Sequence, residues 1–91
     1  MEFEYDPAKS AANLAKHGID FDDVQRLWHG RTVTLSTYAG SDESRNLVLG
    51  MIDGRHWSAI TTMRDGRTRI ISVRRSRKNE EEYYEQHVQG R

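Results

Sequence analysis

Residues 45–75, RNLVLGMIDGRHWSAITTMRDGRTRIISVRR, decide the fold. Apolar and polar residues alternate with a period of two, and the run is cut twice by Asp-Gly, at Asp53-Gly54 and Asp65-Gly66. Asp-Gly between alternating segments is the strongest short-range signal for a two-residue hairpin turn. Three strands are therefore predicted, Arg45 to Ile52, Arg55 to Arg64 and Arg67 to Arg75. Two-residue turns also fix the register, so Ile52 should face Arg55 and Arg64 should face Arg67. With a regular ladder, one face collects Leu47, Leu49, Met51, Ser58, Ile60, Ile71 and Val73, with Thr62, Arg64, Arg67 and Arg69 towards the hairpin tip. The helices are expected to cover this face. The other face collects Val48, Gly50, Trp57, Ala59, Thr61, Met63, Ile70, Ser72 and Arg74 and is expected to stay open. A bulge in either hairpin would exchange the two sets from that point onward.

Working outward, Arg31 to Tyr38 reads as a further strand, and the loop Ala39 to Glu43 is expected to be mobile. Before it, Phe21, Val24, Leu27 and Trp28 recur at helical spacing behind Asp20 as cap. Asp6-Pro7 starts an earlier helix, since the carboxylate can cap free amides and proline suits the first helical position. That helix should end at Gly18. The opening FEYD reads as a short strand. After the sheet, Arg77 to about Val88 forms a third helix capped by Ser76, with Glu80, Glu81 and Glu82 facing the positive end of its dipole. The expected architecture is one α+β domain over residues 1–91, in the order β-α-α-β-β-β-β-α, with an antiparallel sheet and helices packed on one face.

Composition narrows the function. The chain has 91 residues, no cysteine, 31% charged and 35% apolar residues, so disulfides, cysteine-ligated zinc and thiol catalysis are excluded. No apolar run is long enough for a membrane span, and the acidic start MEFEYDPAK is unlike a signal peptide. A cytoplasmic protein is expected, with no membrane partner. Bases and acids balance at 14 each, yet residues 1–45 hold five bases and eight acids while residues 46–91 hold nine and six. Seven bases lie between Arg64 and Lys78 against one acid, Asp65, and eleven of the 14 bases are arginines, whose planar fork fits phosphate. Such a run is also what a solvated face looks like.

Two blocks, FEYDPAKSAANLAKHGIDF and RTRIISVRRSRKNEEEYYE, resemble the BrnT-type toxins of bacterial toxin–antitoxin modules. The resemblance runs over nearly the whole chain and implies a RelE-like fold. It implies a ribonuclease that suppresses translation, with a BrnA-like ribbon-helix-helix antitoxin as partner, RNA as substrate and operator DNA reached through the antitoxin. Carried over by position, it points to Arg69 and Arg74 on the last strand and to Glu80 and Tyr84 on the final helix, with Arg64 just before the hairpin turn. The chain departs from the family pattern at Val73, Ser76, Glu81 and Glu82.

Cleaving RNA without a metal needs the 2′-hydroxyl deprotonated, charge on the phosphate stabilised and a proton given to the leaving 5′-oxygen. Arginine suits the middle task. Arg74 and Arg64 are the candidates for it, while Glu80 and Tyr84, four apart on one helical face, could orient the ribose or exchange a proton. Structural roles stand beside these: Arg74 can pair with Glu80 across the strand-to-helix turn, and Tyr84 can simply pack. Arg69, Arg75, Arg77, Lys78, Trp57, Lys16 and His17 are candidates for binding RNA or the antitoxin, although Trp57 also suits a core and His17 a helix C-terminus. No two of the four histidines have metal-pair spacing on one element, so no metal or cofactor is expected. A non-catalytic module that clasps a DNA-binding partner as co-repressor is the competing reading, because arginine fits RNA, DNA and acidic protein segments alike.

Overall fold

The computed structural model describes residues 1–37 and 44–89. Tyr38, at the end of one expected strand, and the loop Ala39 to Glu43 lie outside the described residues. The elements are β1 (Phe3–Glu4), α1 (Pro7–His17), a 3₁₀ helix (Asp23–His29), β2 (Val33–Thr37), β3 (Arg45–Ile52), β4 (Arg55–Arg64), β5 (Arg67–Arg75) and α2 (Lys78–Gln89). The α+β class is the one expected, with a 3₁₀ helix where the expected order had a second α-helix. The sheet is mixed rather than purely antiparallel: its order is β1-β5-β4-β3-β2, and β1 runs parallel to β5.

Both Asp-Gly turns form as read. Asp53 and Asp65 take positive φ of 51° and 53°, followed by Gly54 and Gly66 at 77°, the backbone that a type I′ hairpin turn requires. Ile52 faces Arg55 and Arg64 faces Arg67. The ladder between β4 and β5 is not regular, however. Thr61 pairs with Ile70 but Ile60 pairs with Ser72, leaving Ile71 as a bulge. From there the alternation of β5 is inverted, so Val73 lies beside Ala59, and Arg74 lies beside Ser58.

Helices cover both faces, which corrects the one-sided packing. The 3₁₀ helix and α1 lie over the face expected to be open. Phe21, Val24 and Leu27 are fully buried there against Val48, Trp57, Ala59, Ile70 and Val73. At Gly50 a Cβ would sit 2.8 Å from the Leu27 side chain, so only glycine lets this helix approach β3 so closely. α2 crosses the opposite face, where Leu49 is buried. The two faces therefore share the burial that a single face was expected to supply.

α1 begins as its sequence dictates, with Asp6 Oδ1 accepting from the Ala8 amide at 2.8 Å, and ends at Gly18 in the left-handed conformation. It docks through polar groups. Its buried residues are Ser10 and Asn13. Ser10 Oγ accepts from the Phe21 amide at 2.9 Å, Asn13 Nδ2 donates to the Ile19 carbonyl at 2.8 Å, and Asn13 Oδ1 accepts from the Val73 amide at 3.2 Å. Asn13 thus ties the turn after α1 to β5 just past the bulge. Asn13→Ala leaves a buried amide and a buried carbonyl unsatisfied and should cost about 1 to 3 kcal/mol in chemical denaturation. Asn13→Ala unfolding at the wild-type midpoint would refute that role.

Candidate active site

The bulge that inverts β5 carries Arg74 under the start of α2. Arg74 is 22% exposed and lies across from Glu80 in a two-point contact, Nη1 to Oε1 and Nη2 to Oε2, both 2.8 Å. Glu80 is only 8% exposed. Its Oε1 also accepts from Ser58 Oγ at 2.9 Å and from the Arg77 amide at 2.8 Å. The last contact is a glutamate in the first turn reaching back to the residue before the helix. Ser76, the expected cap, instead shares a 2.8 Å hydrogen bond with Ser58 Oγ. Glu80 can do both jobs because it sits in the first turn of α2 above the strand that carries Ser58.

These contacts fix the protonation of Glu80. The Arg74 hydrogen bonds, helped by the Arg77 amide and Ser58, outweigh burial and hold its carboxyl at about 2, from an ordinary 4.5. An ionised carboxylate with all these donors aimed at it is a poor general base and a good positioning group. In the unfolded chain the same carboxyl titrates near its ordinary value, so the folded state binds fewer protons in between. Its contribution of about 3 kcal/mol is complete above pH 4.5 and fades as pH falls towards 2. Glu80→Gln should flatten that part of the stability profile, and equal acid sensitivity of wild type and Glu80→Gln in thermal melts would exclude the assignment.

Tyr84 follows one turn along α2 and is buried, its hydroxyl donating to the Arg31 carbonyl at 3.0 Å. Burial pushes its phenol up from the ordinary value, which makes it an anchor for α2 rather than a proton donor. Tyr84 meets the ring of His56 edge to face, centroids 5.7 Å apart. His56 Nε2 in turn lies 2.8 Å from Glu85 Oε2. This imidazole with a carboxylate partner is the group that sequence reasoning passed over. A regular ladder sets His56 opposite Arg75. With the bulge, Arg75 pairs with Trp57, and His56 shares the Ser58 face with Arg74. No sequence signal links His56 to Glu85, 29 residues away.

The remaining candidates are dispersed. Arg64 is exposed at the β4–β5 turn, six residues along the strand from Ser58 or about 20 Å, and so apart from Arg74. Arg69 lies 3.8 Å from Glu4 on the neighbouring β1. Trp57, expected on an open face, is 8% exposed in the core, with the Arg75 guanidinium 5.5 Å above its ring. Arg77 and Lys78 are exposed at the start of α2. Lys16 and His17 end α1 and border a groove with Ile71 and Ser72 on the α1 side of β5. The structure therefore gathers Arg74, Glu80 and Tyr84, adds His56 and Glu85, and leaves Arg64, Lys16 and His17 elsewhere.

A family model described as "Ribonuclease toxin, BrnT, of type II toxin-antitoxin system" matches residues 5–80 of this sequence. No curated protein and no solved structure matches.

Proposed function

The chain belongs to the BrnT family of ribonuclease toxins of type II toxin–antitoxin systems, and from that premise we propose that it is a metal-independent endoribonuclease that suppresses translation until its antitoxin binds. The observation that carries this reading is the Arg74–Glu80 fork beside the His56–Glu85 pair on one face of the sheet. Each demand of the reaction then has a group. His56, oriented by Glu85, takes the proton from the ribose 2′-hydroxyl. The 2′-oxygen attacks phosphorus and the bond to the 5′-oxygen breaks, with the proton passed to that oxygen by the imidazolium or by water. Arg74, fixed by Glu80, stabilises the charge that grows on the phosphate. Glu80 is a positioning residue, and Tyr84 holds the helix in place. The products are a 2′,3′-cyclic phosphate and a 5′-hydroxyl.

The family membership brings an antitoxin with it. The resemblance of the two sequence blocks supports a BrnA-like ribbon-helix-helix protein, through which the complex would reach operator DNA, and a RelE-like ancestry for the fold. No helix among the described residues is long and apolar enough to cross a membrane, in keeping with action on cytoplasmic RNA. Purified chain incubated with single-stranded RNA in a chelator should yield cyclic phosphate ends, and its induction alone should arrest growth. Intact RNA in the presence of folded protein would end the proposal.

A further inference from the structure

α2 is anchored at the end of the sheet that bears His56, Ser58 and Arg74. At the other end of the same face, β2, β3 and β4 set Leu35, Leu47 and Ile60 side by side, each half-buried. The adjacent row runs Thr37, Arg45, Thr62, Arg69 and Glu4 across all five strands. Its two guanidinium groups differ. Arg69 has Glu4 beside it, whereas Arg45 has no ion-pair partner among the described residues, and its Nε is buried without a hydrogen-bond partner. A buried donor left unpaired is unfavourable, and an incoming anion relieves it. A three-residue aliphatic row next to an unpaired arginine fits a protein segment better than RNA, because single-stranded RNA is gripped by aromatic stacking and neither row contains an aromatic residue.

We propose that this half-sheet is where the antitoxin docks, by an amphipathic segment that lays aliphatic side chains over Leu35, Leu47 and Ile60 and sets a carboxylate on Arg45. The inference rests on the toxin–antitoxin reading above, and it adds both the surface and the chemistry of the partner. A carboxylate set against the guanidinium of Arg45 forms the charge-assisted contact that arginine favours, with the side chain turning its Nε outward to meet it. Bound there, the antitoxin lies alongside the Arg74 site on the α2 face of the sheet and closes the approach to it.

The test uses a BrnA-like ribbon-helix-helix antitoxin, titrated calorimetrically into the whole chain. Removing one partner of a desolvated charge pair weakens binding by about 30-fold or more. Arg45→Glu should therefore lose at least that much affinity and Arg45→Gln about the same, while Lys9→Glu, exposed on α1 on the far side of the sheet, should bind like wild type. RNA cleavage by Arg45→Gln should persist. If Arg45→Glu fails to fold by circular dichroism, Arg45→Gln carries the comparison. Unchanged antitoxin affinity in a folded Arg45 variant overturns the proposal. Lost RNA binding with intact antitoxin affinity also overturns it and assigns the surface to the substrate. Failure of wild type to bind the antitoxin refutes the toxin–antitoxin reading itself.

Discussion

Changing Arg74 to alanine should slow RNA cleavage by about 10² to 10³, the loss seen when one preorganised donor to a charged transition state is removed. The same change leaves Glu80 ionised and largely buried with only Ser58 and the Arg77 amide as partners. Stability should therefore also fall, by about 1.5 to 3 kcal/mol, the range for hydrogen bonds to charged groups. The two effects separate under conditions where the variant stays folded. Arg74→Lys keeps the charge and loses the fork, so a partial recovery of rate identifies electrostatics and none identifies two-point geometry. Wild-type cleavage by folded Arg74→Ala would reduce the pair to a structural brace.

His56→Gln should cost about 10² to 10⁴ in cleavage rate, the usual worth of a general acid–base group. Glutamine can still hydrogen-bond Glu85, so α2 should remain docked and the melting temperature should move little. The informative readout is the pH profile: the rising limb of the rate against pH should disappear in His56→Gln and persist in Arg74→Lys. Glu85→Gln should retain more activity than His56→Gln, since it disturbs the orientation of the imidazole and leaves the proton acceptor in place. An unchanged pH profile in His56→Gln would assign the base elsewhere.

Much of this was legible because it is local. The Asp-Gly turns, the caps at Asp6 and Gly18 and the register of β3 on β4 all follow from residues a few positions apart. The Arg74–Glu80 contact also spans only six residues. What the sequence did not reveal is non-local. Nothing in IISV marks Ile71 as a bulge, since the segment carries no glycine and alternates plausibly in either register. The parallel seat of β1 on β5 depends on the pairing of Phe3 with Thr68, far apart in the chain, and the hydrogen bond from Val73 to Asn13 spans 60 residues. Because the bulge was hidden, Trp57 and Arg74 were assigned to one face, and the structure puts them on opposite ones.

Ile71 also bears on how sequences of this kind can diverge. Val73 and Arg74 are consecutive residues claimed from opposite sides, the first by the core under α1 and the second by Glu80 on α2. Both claims are met because Ile71 is passed over in the pairing, so that Ser72 takes the rung next to Ile70. Ile71 itself has no partner on β4. Deletion of it would close the ladder without a bulge and keep Ile60 on Ser72, Ala59 on Val73 and Ser58 on Arg74, so the core and the clamp should both survive. Strand β5 should therefore tolerate loss of this one residue during evolution, whereas an insertion beyond the bulge would exchange Val73 and Arg74 between the faces.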